Sequence, residues 1–230
     1  MSTITIDTGD GPMNAYLALP PGGEGPGIVL IQEIFGVNQV MRDLADGLAA
    51  QGYVVACPDL FWRIEPGIDI SDKTEAEWAR AFDLFKTFHV EHGVRDLRAT
   101  LAALRSHPDC TGKVGAVGYC LGGKLAYLMA TRTDVDCSVG YYGVGLQDML
   151  GEANQIHKPL MLHIAGKDEF TPPAAQARIH AALDTHAYVT IHDFPSNDHA
   201  FARVGGAHYD LDEALIANGL THDFFKRHLA

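Results

Sequence analysis

A chain of 230 residues, 47% hydrophobic and 20% charged, is long enough to bury one sizeable core and has an ordinary globular composition. Its formal net charge of −12 excludes nucleic acid and anionic membrane as expected partners, since neither is held without a basic patch. The N-terminus lacks signal-peptide order, no apolar run nears the roughly 18 residues of a membrane span, and Cys57, Cys110, Cys120 and Cys137 fit no metal spacing; a cytoplasmic protein with reduced thiols, no metal and no cofactor is expected.

Residues 3–7 and 13–19 flank Gly9-Asp10-Gly11-Pro12 and read as a β-hairpin. The apolar run 27–32 is a strand, followed by the loop Glu33-Ile34-Phe35-Gly36-Val37-Asn38. Residues 39–51 carry Val40, Leu44 and Leu48 at helical spacing and stop at Gly52. After the strand 53–57, an irregular aromatic stretch precedes a helix capped by Ser71 or Asp72, running through Trp78 and Phe85 and broken near Gly93. A second helix is expected over 94–104.

Residues 114–117 form a short β-branched run typical of a buried strand, and 124–130 suit a packed helix. Further strands are expected over 137–142, 159–165 and 188–194, with helices over 173–183 and 210–227; residues 144–157 follow no clear period. Strands alternating with helices, most of them continuously apolar, predict a doubly wound, mostly parallel α/β sheet with helices on both faces. One domain over 1–230 accounts for the chain, with no linker, repeat or low-complexity segment.

Between the strand 114–117 and the helix after it lies Gly118-Tyr119-Cys120-Leu121-Gly122-Gly123, the nucleophile-elbow pattern G-x-S-x-G with cysteine for serine. A sharp strand-to-helix turn strains its middle residue, so glycines flank it. The turn aims a helix N-terminus at the sulfur, favouring a thiolate and later an oxyanion. A buried structural cysteine or a phosphate loop would also explain a glycine-rich turn, although no G-x-x-x-x-G-K-[ST] occurs.

In α/β-hydrolase folds the partners follow in the order nucleophile, acid, histidine, each beyond a strand's carboxyl end. Asp168 stands three residues after the strand 159–165, and His199 five residues after the strand ending at Phe194. His199 would take the thiol proton and later activate water, while Asp168 would hold its tautomer. Asp193 and Asp198 compete for the acid role but lie close to His199 in sequence. Of the 12 histidines, the others fall within strands or in and beside helices, without metal spacing. The backbone N–H groups of Leu121 and Ile34 are the expected oxyanion donors. Glu33 is then either a carboxylate beside the site or a solvated loop residue.

QEIFGVN at 32–38, GVRDL at 93–97, GYCLGG at 118–123, GKDEFTPP at 166–173 and DHAFAR at 198–203 together resemble the dienelactone hydrolase family, also called carboxymethylenebutenolidase. The resemblance implies an α/β-hydrolase fold and a Cys-His-Asp hydrolase that opens unsaturated lactones through a thioacyl-enzyme. It puts the nucleophile on Cys120, the acid on Asp168 and the base on His199. It also implies that Glu33 meets the resting thiol and takes part in its activation when substrate binds. The family holds a substrate carboxylate with two arginines: Arg203 matches one, whereas the other position falls on Trp78, with Arg80 two residues later. Phe82 stands for a family tyrosine, Ala200 for a hydroxyl residue, and Phe35, Trp78 and Phe82 are the expected aromatic contacts. The implied partner is a small-molecule lactone or ester, in anionic or neutral form. A hydrolase of another ester or thioester, or a non-catalytic α/β-hydrolase-fold binding protein, are the alternatives. A thiol redox role is disfavoured by the lack of a CxxC pair.

Overall fold

A computed structural model of the protein describes residues 2–230. The strands form an eight-stranded, mostly parallel sheet, and the chain divides into two compact units, Met1–Gly115 and Ala116–Ala230. The strand β5 (Cys110–Tyr119) contains the boundary.

The first unit begins with β1 (Ser2–Asp7) and β2 (Pro12–Ala18), an antiparallel hairpin in register Ile4↔Ala15. Its turn needs glycine: Gly9 and Gly11 have φ of 81° and 149°. Then come β3 (Gly25–Ile31), α1 (Gln39–Ala50), β4 (Val54–Pro58), α2 (Glu75–Thr87) and α3 (Val90–Arg105). The strand order is β1-β2-β4-β3, with β3 and β4 parallel in register Ile28↔Val55. Residues Ile28 to Ile31 of β3 are wholly buried, as their continuous apolar run requires. Asn38 caps α1 by accepting the Met41 N–H, and its own amide donates to the Ile70 carbonyl, tying the loop after β3 to the chain before α2.

Two expectations need correction here. The cap of α2 is Thr74, not Ser71 or Asp72: its Oγ1 accepts the Glu77 N–H, and the Glu77 carboxylate accepts from Thr74 and Ser71 in return. The break between α2 and α3 lies at Phe88 and His89, and Gly93 is inside α3. A Cβ on Gly93 would stand 2.4 Å from Phe88 Cζ, so the glycine admits the Phe88 ring and does not stop the helix.

The second unit takes the end of β5 into α4 (Leu121–Arg132), then β6 (Cys137–Tyr141), β7 (Leu160–Ala165), α5 (Pro173–Leu183), β8 (Val189–Phe194) and α6 (Leu211–Leu229). The aperiodic stretch after β6 is two short 3-10 turns, Leu146–Asp148 and Leu150–Gln155. Strands β6, β7 and β8 are parallel, in registers Val139↔Met161 and Leu162↔Ile191. Parallel pairing sends the loops after β6, β7 and β8 to the carboxyl end of these strands, where catalytic loops of such sheets gather. Among the described residues, no helix is long and apolar enough to cross a membrane.

Candidate active site

Cys120 is the N-cap of α4, at φ 56° and ψ −113°, a conformation that L-residues rarely adopt. Its surroundings hold it there. The Cys120 N–H donates to Tyr141 O at 3.1 Å, and its carbonyl accepts from the N–H groups of Gly123, Lys124 and Val144 at 3.0, 3.3 and 3.3 Å. The turn is tight enough to exclude side chains: a Cβ on Gly118 would lie 2.0 Å from Gly122 O, and one on Gly123 would lie 2.3 Å from Tyr141 O. Strain of this kind costs about 1–3 kcal/mol and persists only where neighbours over-determine it. Here it lifts one sulfur to the start of a 12-residue helix. Leu121, wholly buried, is the first helical residue, so its N–H has no partner within the helix.

Asp168 sits on the turn that follows β7 and is 3% exposed. Its two oxygens have separate tasks. Oδ1 accepts the backbone N–H of Phe170 at 2.9 Å, which fixes the carboxylate, and Oδ2 lies 2.8 Å from His199 Nδ1. A carboxylate can only accept, so Nδ1–H donates and the other ring nitrogen is turned elsewhere. That direction is Cys120, to which His199 is also hydrogen-bonded. The imidazole is clasped by the edges of two rings, Tyr142 at 5.1 Å and Phe170 at 4.9 Å between centroids. Both Tyr142 (φ 36°) and Ala200 (φ 64°) occupy the left-handed region beside it. The Tyr142 N–H is held by the His163 carbonyl at 2.8 Å.

Burial lowers the His199 pKa most strongly of the individual influences. Negative charge on Cys120, the hydrogen bonds to Asp168 and Cys120, and the Asp168 charge together outweigh it and push the pKa up to about 10. A histidine so placed holds its second proton at neutral pH.

Elsewhere in the second unit, Arg203 is buried in the turn after His199, with its N–H donating to Ala200 O at 2.9 Å. In the first unit, Glu33, Ile34 and Phe35 are all buried in the loop after β3. Gln32 braces that loop: its side-chain oxygen accepts the Leu60 N–H at 2.9 Å, and its Nε2 donates to Glu33 O at 3.2 Å. Three expected aromatic contacts are brought together. Trp78 meets Phe35 edge-on at 5.0 Å and Phe82 at 5.5 Å, and its Nε1–H donates to Asp72 O. Arg80 is not with them: on the exposed side of α2 its guanidinium pairs with Glu65.

Three residues beside Cys120 and His199 went unnoticed in the sequence. Tyr142 directly follows β6, and Phe170 stands two residues past Asp168; aromatic residues at those positions were the available signal. Lys124 was read only as part of an apolar helix, yet it is 8% exposed and within electrostatic range of Cys120.

The model of the dienelactone hydrolase family matches residues 13–229. A protein of Azospirillum brasilense, provisionally named carboxymethylenebutenolidase, is 50% identical over the whole of both chains. A carboxymethylenebutenolidase from a Pseudomonas species is 40% identical over 97% of this chain and 94% of its own. Among solved structures, one provisionally described as a dienelactone hydrolase, from Klebsiella pneumoniae subsp. pneumoniae, superposes with a TM-score of 0.85 at 24% identity, over 98% of this chain and 99% of its own. The fold is the α/β-hydrolase fold. A family match over almost the whole sequence, with relatives at 40–50% identity, leaves one conclusion: the chain belongs to the dienelactone hydrolase family and is a carboxylic ester hydrolase.

Proposed function

We propose that the chain hydrolyses lactones or activated esters through a thioacyl-enzyme, with Cys120 as nucleophile, His199 as acid and base, and Asp168 as the group that orients the imidazole. The observation that carries this reading is the 2.8 Å contact of His199 Nδ1 with Asp168 Oδ2, on a histidine whose other bond is to an elbow cysteine. The sulfur attacks the carbonyl carbon, the C–S bond forms, and the carbonyl electrons move onto oxygen. The N–H of Leu121, at the positive end of α4, receives this oxyanion. Collapse breaks the acyl C–O bond, and the imidazolium hands its proton to the departing oxygen.

Acylation then changes the histidine. The charge on sulfur and its hydrogen bond disappear, so two of the influences that raise the His199 pKa are gone, while burial still lowers it. An acid in the free enzyme thereby becomes a base in the thioacyl-enzyme. It takes a proton from water, hydroxide adds to the thioester, the C–S bond breaks, and the carboxylic acid product leaves with the thiolate restored. Glu33 takes part in activating the thiol, as the family resemblance implies. Residues 1–230 act as one catalytic domain, a reading supported by a family match that runs through both compact units, in a cytoplasmic setting.

A second reading of the substrate has its own support. The position of the family's second arginine is Trp78, packed with Phe35 and Phe82, and Arg80 is paired with Glu65. An aromatic surface in place of a cation favours a neutral ester or thioester over a carboxylate-bearing lactone.

The test uses Cys120→Ala. The variant should fold, lose hydrolysis of dienelactone and aryl esters, and show a His199 imidazole that titrates by NMR well below the wild-type value near 10. In wild type, peptide mapping after iodoacetamide should find the adduct on Cys120. An adduct on Cys57 or Cys110 with activity lost, or an unshifted His199 titration, would refute the assignment.

A further inference from the structure

The loop that carries His199 runs from the end of β8 to the start of α6 and is folded back on itself. Successive carbonyls, beginning with that of His199, each meet a donor from farther along the same loop. His199 O accepts from His208 Nδ1 at 3.2 Å, Ala200 O from the Arg203 N–H at 2.9 Å, and Phe201 O from the Asp210 N–H at 3.0 Å. The ends of the loop are fastened as well. Asn197, 5% exposed, accepts the Lys167 N–H on its carbonyl at 2.9 Å, which ties it to the residue before Asp168. Its side-chain amide donates to Asp210 Oδ2 at 3.2 Å, and Asp210 Oδ1 accepts the Glu213 N–H to cap α6.

Among those three bonds to carbonyls, the one from His208 comes from a side chain, and that residue is exposed. A carbonyl can only accept, so Nδ1 of His208 carries the hydrogen. The peptide group that it holds lies between His199 and Ala200. The plane of that peptide sets the φ of Ala200, which at 64° is a conformation that a residue with a Cβ keeps only where its neighbours hold it. The same plane fixes the backbone of His199, from which the imidazole hangs.

We infer that His208 is a positioning residue for catalysis: by holding the His199 carbonyl, it keeps the backbone of the base where its Nδ1 meets Asp168 Oδ2 at 2.8 Å. This deepens the reading of His199 as acid and base and rests on it. The role asks for a donor at one place and for no charge. An asparagine carries its Nδ2 the same number of bonds from Cα as the histidine Nδ1, so it can make the same bond.

The experiment is steady-state hydrolysis of an aryl acetate by the full-length protein, with His208→Phe and His208→Asn made alone and together with His199→Asn. His208→Phe keeps a ring and loses the donor; it should lower kcat about 3- to 10-fold and leave KM within about 2-fold. His208→Asn should recover most of the loss, and His208→Ala serves if the phenylalanine variant does not fold. The melting temperature should stay within about 2 °C of wild type in each, because the site is exposed. Combined with His199→Asn, His208→Phe should cost nothing further, since no base is left to position. A structural role would give a lower melting temperature with kcat unmoved. If His208→Phe turns over at the wild-type rate while His199→Asn is inactive, the role of His208 is refuted, and so it is if the loss is the same with and without His199. If His199→Asn keeps wild-type turnover, it is the reading of the base that falls, and the role of His208 with it.

Discussion

Lowering the pH from 7.5 to 5 should cost the protein about 2 kcal/mol of folding stability through one residue, His163. The imidazole is 1% exposed in β7, with Nε2 at 3.0 Å from Thr221 Oγ1 of α6. Thr221 also meets the Tyr141 hydroxyl at 2.7 Å, so the pair can share protons with a neutral imidazole. Nδ1 is buried with no hydrogen-bond partner. Protonation would therefore place a charged N–H where nothing accepts it. Burial, with a smaller push from His192 stacked at 5.6 Å, lowers the His163 pKa from 6.5 to about 3. Between those values the unfolded chain binds the proton and the folded protein does not. The stabilisation is complete above pH 6.5 and is lost progressively as the pH falls towards 3. At pH 5 the unfolded histidine is favoured by a factor of about 30, which is the ~2 kcal/mol above. Urea unfolding of wild type and His163→Leu at both pH values measures it. With a slope near 3 kcal/mol/M, the acid-induced drop in midpoint should be about 0.7 M smaller in the variant. Equal drops in the two proteins would show that His163 already titrates in the folded state. The site would feel the change, since the His163 carbonyl holds the N–H of Tyr142, whose ring edge bears on His199.

Asp168→Asn and His199→Asn should each lower kcat by about 1,000- to 10,000-fold, and the double variant should lose little more, because the two act as one unit; multiplicative losses in steady-state assays would place one of them outside it. Arg203→Met should lower kcat/KM by roughly 10- to 150-fold for carboxylate-bearing lactones and little for neutral esters of the same size. Arg80→Met, whose partner is Glu65 on an exposed face, should leave the acid-to-ester ratio of kcat/KM within about 2-fold of wild type. An acid-to-ester ratio unchanged by Arg203→Met would remove the anion clamp and favour a neutral substrate.

What the sequence disclosed depended on how local each signal was. The elbow could be read because its geometry is imposed by residues adjacent in the chain, with Gly118 facing the Gly122 backbone across one turn. Buried strands announced themselves by apolar runs such as 28–31. The cap of α2 was also written there, as Thr74-x-x-Glu77, but Ser71 and Asp72 are capping types too, and only the Glu77 carboxylate turning back decides among them. Gly93 misled because a glycine can mark a helix end or a close approach, and the deciding ring, Phe88, packs on it through space. Lys124 was hidden for a deeper reason. Helical periodicity sorts residues by hydrophobicity, and nothing in that pattern says that a lysine stem will follow a bare Gly145 on another loop.

The placement of the residues along the chain suggests how a family of this kind changes substrate without losing its chemistry. Cys120, Asp168 and His199 all lie in Ala116–Ala230, on loops fixed by the parallel register of β6 to β8 and by bonds such as Cys120 N–H to Tyr141 O. The residues that depart from the family pattern, Trp78 and Phe82, lie in Met1–Gly115, on a helix whose capping box and aromatic contacts are its own. A change of cation to indole at Trp78 replaces an interaction worth about 1.5–3 kcal/mol with a carboxylate by aromatic area that rewards a neutral ring. It costs no hydrogen bond of His199 or Asp168, since the Trp78 N–H donates within its own helix start, to Asp72 O. Binding contributions of that size alter which ester is preferred by one to two orders of magnitude. The bond between His199 and Asp168 is left as it was.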